Sequence, residues 1–235
     1  MTQRGLILKA PTEVASQDIL TSDALALLAE IARAFGPRLR DLLRARDERQ
    51  ARLDDGSERL DFLASTQSVR DGDWRVAAIP ADLLDRRVEI TGPTDRKMIL
   101  NALASGAQVF MADFEDSNAP TWKNLIEGQR ALMEAVRGTL SFVDPGSKKS
   151  YAMPDHPAVL IARPRGLHLV EKHLLVDGTA MPASFFDTAL YILHNAKVLL
   201  DKGSGPYLYL PKMESHKEAR LWNDVFVFAQ QYIGV

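Results

Sequence analysis

The chain has 235 residues, 46% hydrophobic and 26% charged, with 29 basic against 31 acidic side chains and a formal net charge of −2. That is an ordinary globular composition, large enough for one sizeable domain or two small ones, with no general reason to expect binding to nucleic acid or to a membrane surface. The absence of cysteine excludes disulfides, thiolate metal sites and a cysteine nucleophile.

The apolar patch within Met1 to Ala10 is shorter than the apolar region of a signal peptide, and the run from Ala158 to Ala162 falls far short of a membrane span. A soluble, cytoplasmic protein is expected. Residues 1–21 read as a loose lead-in. From Ser22, a plausible N-cap, Leu25, Leu28, Ile31, Ala32 and Phe35 share one helical face. Gly36-Pro37 predicts a break there, with a second helix carrying Leu39, Leu42 and Leu43 into a solvated run of mixed charge that ends at Asp55-Gly56-Ser57. Residues 60–95 are less regular, with Arg87-Val-Glu-Ile-Thr91 as a short strand. Asp95 to Ser105 reads as a helix closed by Gly106. Trp122 to Arg137 is amphipathic, with Leu125, Ile126, Leu132, Met133 and Val136 on its apolar side. Residues 138–157 form a β excursion turning at Asp144-Pro-Gly-Ser. A loop at Val176-Asp-Gly-Thr179 then leads to a helix from about Ser184 to Leu200, and the last helix runs from about His216 to Tyr232.

Three short apolar runs each end in a burst of charge: Gln108-Val-Phe-Met-Ala-Asp113-Phe-Glu115-Asp116-Ser117, Ala158-Val-Leu-Ile-Ala-Arg163-Pro-Arg165-Gly166, and Tyr207-Leu-Tyr-Leu-Pro211-Lys212-Met-Glu214-Ser215. Each reads as a buried strand with charge at its C-terminal end. Separated by helices, such strands form a parallel α/β sheet or barrel and place their charges at a wet mouth. Three strands do not close a barrel.

Arg163 is the first candidate for function. Pro164 holds its backbone extended, so its guanidinium can present a rigid fork of donors at the strand end; a structural ion pair is the plainer reading. Arg165, just past the strand end, is read as mainly structural. Asp113 and Glu115, two apart, point into the mouth with Asp116 turned away. Ser117 suits an N-cap for the following helix. Lys212 and Glu214 close the third strand, and Lys212 balances Glu115 or Asp113. The five histidines, His156, His168, His173, His194 and His216, have no metal-site spacing and are expected to be hydrogen-bonded structural residues.

The blocks Arg86-Arg-Val-Glu-Ile-Thr-Gly-Pro93, Val109 to Ser117, Arg163-Pro-Arg-Gly-Leu-His-Leu169, Glu171-Lys-His173, His194-Asn195 and Gly203 to Ser215 resemble the malate synthases, in their shorter form, across residues 15–235. The resemblance implies Mg²⁺-dependent condensation of acetyl-CoA with glyoxylate to malate and CoA, as in the glyoxylate cycle. It implies a helical N-terminal clasp, residues 1–80, and the first three β/α units of a TIM-type (β/α)₈ barrel, residues 81–235, incomplete in this chain. It makes Arg163 the catalytic arginine and puts Ser117 near acetyl-CoA. It gives Asp113, Glu115, Arg165, Lys212 and Glu214 substrate-binding or supporting roles. It also implies that the direct metal ligands and a catalytic Asp lie beyond Val235. Two other readings stay open: a citrate-lyase-β-like CoA-thioester lyase, whose group shares the Pro-Lys-Met-Glu-Ser run, and a non-catalytic fragment.

Overall fold

The structure, a computed structural model, describes residues 4–11 and 14–235. The lead-in contains a short strand, β1 (Leu6–Leu8), followed by α1 (Ser22–Asp54). Thr21, rather than Ser22, caps α1: its hydroxyl accepts from the Ala24 N–H at 3.1 Å. The expected break at Gly36-Pro37 does not occur. Proline within a helix removes one backbone hydrogen bond and costs about 3 kcal/mol. Packing on both sides outweighs it, because Leu27, Leu28 and Ile31 before the proline and Leu39 after it are buried in one cluster with helices α5 (Ala183–Asp201) and α6 (His216–Ile233). Phe35 meets Phe228 of α6 edge-to-face at 5.6 Å, Arg38 pairs with Asp224, and Arg46 pairs with the buried Glu218 at 2.7 Å. The result is one rod of 33 residues, roughly 50 Å long.

Residues 59–88 are largely irregular, with one helical turn, α2 (Gln67–Arg70), and 3₁₀ turns at Ala64–Thr66 and Ala81–Leu83. Leu60, Phe62, Trp74 and Val76 are exposed along this stretch.

The central sheet is parallel. Its strands are β2 (Glu89–Pro93), β3 (Val109–Asp113) and β6 (Val159–Arg163), in register so that Pro93, Asp113 and Arg163 end level. It therefore starts one strand earlier than the three charged runs suggest. The third run contributes only an isolated parallel bridge, Ala162 to Leu208. Pro206 and Pro211 bound it, and neither can donate to a longer ladder. Alternation sorts the sheet's faces. Phe110, Ala112, Leu160 and Ala162 pack with α3 (Arg96–Leu103), α4 (Trp122–Arg137) and α5, whereas Val109 and Ile161 pack with Leu83, Val159 and Tyr207 on the other face.

The expected excursion is the hairpin β4 (Ser141–Val143) and β5 (Ser150–Ala152), turned at Asp144, whose carboxylate accepts from the Gly146 and Ser147 N–H groups. The segment expected as a loop at Val176–Thr179 is also a hairpin, joining β7 (Val170–Val176) and β8 (Thr179–Pro182). Asp177 and Gly178 both take positive φ, 50° and 80°, which the Asp-Gly pair of a two-residue hairpin turn adopts readily. β1 adds to this sheet beside β7. Among the described residues no helix is long and apolar enough to cross a membrane.

Candidate active site

Asp113 ends β3 fully buried, and its carboxylate is occupied by its own loop: Oδ1 accepts from the Glu115 N–H at 2.9 Å and Oδ2 from the Ser117 N–H at 3.0 Å. That turn redirects the chain past the strand end and swings both Glu115 and Asp116 toward β6. Arg163 meets them there. Its Nη2 donates to Glu115 at 2.6 Å and also to Asp116, and its Nε lies 3.6 Å from Asp113 Oδ1. Tyr209 lays its ring against the guanidinium, 5.6 Å from centroid to Cζ. Lys212, held at a left-handed φ of 53°, places Nζ 3.2 Å from both Asp116 oxygens and 3.5 Å from Glu115.

Three carboxylates and two cations thus converge where β3 and β6 end. Burial works against the Arg163 charge, but Asp113, Asp116 and Glu115 outweigh it and hold its pKa above the ordinary value. Lys212, then Arg163, holds the exposed Asp116 carboxyl below the usual range, and Asp116 in turn raises Lys212. Arg163 Nε is buried without a hydrogen-bond acceptor among the described residues. A buried N–H of this kind is costly, and the Asp113 carboxylate 3.6 Å away offsets part of that cost by charge alone.

The structure unites Asp113, Glu115, Arg163 and Lys212, and it adds two residues that strand alternation missed. Asp116 is not turned away, because the Asp113 turn ends the alternation before it. Tyr209 could have been found from the Tyr207-Leu-Tyr209 spacing, which puts both rings on one face. Ser117 caps no helix; Thr121 does, its hydroxyl accepting from the Asn124 N–H at 3.2 Å. Glu214 is exposed and pairs with Arg46 at 3.2 Å, while Arg46 also donates to the Lys212 carbonyl at 2.8 Å. The long helix α1 therefore braces the Lys212 turn.

Arg165 points into the interior. It is 3% exposed; Nε and Nη2 grip Asp187 at 2.9 and 2.8 Å, and Nη1 donates to Glu171 at 2.8 Å. Burial opposes its charge, and Asp187 and Glu171 prevail, keeping its pKa above the ordinary value. Glu171 also accepts from the His173 backbone N–H at 3.0 Å and faces His173 Nδ1 at 2.6 Å. His194 Nε2 lies 2.8 Å from the Ile19 carbonyl.

The acids at the mouth do not fit a magnesium site on their own. Both Asp113 oxygens accept backbone N–H groups, and Glu115 and Asp116 face Arg163 and Lys212. Among the described residues no group of three or more His, Asp or Glu side chains has a metal-holding arrangement.

Comparison with known proteins gives two family matches: "Malate synthase, N-terminal domain" over residues 9–68 and "Malate synthase, TIM barrel domain" over residues 159–235. Malate synthase from Myxococcus xanthus (strain DK1622) is 52% identical over 98% of this chain and 42% of its own length. Malate synthase A from Escherichia coli (strain K12) is 51% identical over 91% of this chain and 40% of its own. The chain belongs to the malate synthase family. It spans about two fifths of the length of these malate synthases. A bifunctional glyoxylate cycle protein from Caenorhabditis elegans is 49% identical over 98% of this chain and 24% of its own length. The malate synthase barrel match takes in Arg163, Tyr209 and Lys212, whereas Asp113, Glu115 and Asp116 lie between the two matched stretches.

Proposed function

We propose that this chain carries the arginine side of a malate synthase active site, within an acyltransferase that condenses acetyl-CoA with glyoxylate. In that reaction the acetyl methyl carbon loses a proton and attacks the glyoxylate aldehyde carbon, and water cleaves the thioester to release malate and CoA. Residues 1–80 are the helical N-terminal domain and residues 81–235 a barrel portion that is incomplete in this chain. The cytoplasm is the proposed compartment.

Arg163 is the catalytic residue. Its guanidinium donates to the glyoxylate oxygens and to the negative charge that develops on the enolate, a task for fixed donors in a partly dry site. Glu115 and Asp116 aim the fork, Tyr209 supports its face, and Lys212 offsets the excess negative charge. Asp113 shapes the loop that brings the two acids in. Ser117 and Glu214 support the site from outside the guanidinium's contacts, Ser117 through the Asp113 turn and Glu214 through Arg46, while Arg165 is held in the interior. The acids of this cluster face backbone N–H groups, Arg163 and Lys212, so Arg163 and not a metal held by them meets the glyoxylate oxygens.

The observation that supports this reading is the convergence of Arg163 and Lys212 with Asp113, Glu115 and Asp116 where β3 and β6 end. Glyoxylate titration followed by NMR, with CoA release measured in the presence of acetyl-CoA and Mg²⁺, tests it. Saturable glyoxylate binding that Arg163→Lys abolishes supports the reading. Cleavage of malyl-CoA without glyoxylate-dependent CoA release points to the lyase. No binding and no CoA release points to a non-catalytic piece.

A further inference from the structure

We propose that Asp187 is a positioning residue for Arg163, acting through Arg165; this rests on the reading of Arg163 as the group that binds glyoxylate. The two arginines flank Pro164 but face opposite ways, one to the mouth and one to the interior. Asp187, near the start of α5, grips Arg165 by three donors: the backbone N–H and Nε to Oδ2, both at 2.9 Å, and Nη2 to Oδ1 at 2.8 Å. The carbonyl of Asp187 accepts from Gln129 of α4 at 3.0 Å, so the grip is anchored to a second helix.

The main chain of Arg163 is held on either side. Before it, Ala162 donates to the Tyr207 carbonyl at 3.0 Å and accepts from the Tyr209 N–H at 2.9 Å. After it comes Pro164, which has no N–H and a fixed φ, so the next backbone donor is that of Arg165, and Asp187 holds it. The Arg163 carbonyl accepts from the Phe114 N–H at 3.0 Å, which ties it to the acidic loop. Release of Arg165 would free the chain one proline away from the guanidinium that the mouth depends on.

Energetics favour this role over stability alone. A buried ion pair seldom outperforms apolar packing of similar volume, because desolvation absorbs most of its attraction. Arg165, Asp187 and Glu171 are all at most 3% exposed. What the charges supply that packing would not is direction: a bidentate fork plus a backbone bond fixes both the side chain and the peptide plane.

The test uses the full 235-residue chain and the Nε–Hε NMR signal of Arg163, assigned by its loss in Arg163→Lys. Two variants are compared: Asp187→Asn, and the triple variant Arg165→Met, Glu171→Gln and Asp187→Leu, which removes the three buried charges together. Ile31→Val, in the α1 core, controls for mild destabilisation. The expected result is a displaced Arg163 signal in both test variants and none in the control. Glyoxylate affinity should weaken by about tenfold, the size of one lost charge-assisted hydrogen bond. A folded variant with the native Arg163 signal would overturn the proposal. So would failure of both variants to fold, which would assign the triad to stability. If the native chain binds no glyoxylate, the functional reading fails, while the NMR signal still decides whether Asp187 positions Arg163.

Discussion

Asp113 and Arg163 stand opposite each other at the ends of paired parallel strands, yet the carboxylate hydrogen-bonds its own loop and not the guanidinium 3.6 Å away. The acid thus works as a hinge pin. Its charge faces Arg163 across the strands while its two oxygens fold residues 113–117 so that Glu115 and Asp116 complete the pairing.

Asp113→Asn should therefore open that loop. The amide keeps one acceptor and turns a donor toward a backbone N–H. Leaving one buried N–H unsatisfied costs about 1–3 kcal/mol. A lowered urea midpoint with unchanged slope is expected, together with changed amide signals at Glu115 and Ser117. Native amide signals there would show that the loop holds its shape without the carboxylate.

Arg163→Lys keeps a charge before three carboxylates but loses the planar fork. Turnover in a full-length family member carrying this site, or glyoxylate binding by the chain, should fall by about 10²-fold or more, the scale for removal of one donor to a developing oxyanion. The melting temperature should drop by no more than about 4 °C, since the ion pairs can re-form around the ammonium. A variant with native turnover would remove Arg163 from the mechanism.

Gly128 lets α4 lie close against the strand ends. A Cβ there would sit 2.4 Å from Thr94 Oγ1, 2.8 Å from Thr94 Cβ and 2.9 Å from Phe114. These are short, buried groups with little room to yield. Overpacking costs about 1–3 kcal/mol, against a helix-propensity gain for alanine of up to about 1 kcal/mol. Gly128→Ala should thus be destabilising by up to about 2 kcal/mol, read from the urea midpoint. A raised midpoint would mean that Thr94 and Phe114 move aside freely.

Local signals made much of this fold legible. The apolar stripe of Trp122 to Arg137, the turn at Asp144-Pro-Gly-Ser and the buried runs of β3 and β6 can each be read without knowing what surrounds them. Pro37 could not, because its helix survives only through packing on α5 and α6, distant in sequence. Strand β2 looked isolated because its partner lies beyond an intervening helix, and its Gly92-Pro93 end reads as a stop. At the site, charge at strand ends pointed to Asp113, Glu115, Arg163 and Lys212. Asp116 escaped because a side-chain-to-backbone turn reset the alternation. Asp187, 22 residues from Arg165, carried no local mark of its ion pair.

His194 should give the chain a stability that falls as pH drops below about 6.5. Its Nε2 lies 2.8 Å from the Ile19 carbonyl, joining α5 to the segment that leads into α1. Burial pushes the imidazole below its ordinary value of 6.5, and nearby Arg137 pushes the same way, against the favourable Ile19 carbonyl. The sign follows from which state takes up the proton first. The unfolded chain protonates near the ordinary value and the folded chain only below it. The His194 contribution is therefore complete above about pH 6.5 and is lost as pH falls from there through the folded value. The slope is at most about 1.4 kcal/mol per pH unit, reduced because solvent reaches this half-buried ring. His194→Gln keeps an N–H for Ile19 but does not titrate. Melting temperatures at about pH 7.5 and about pH 5.5 should therefore differ less in the variant than in the native chain. Equal differences would place the source of the acid sensitivity elsewhere, since carboxylates near their ordinary values contribute mainly below about pH 5.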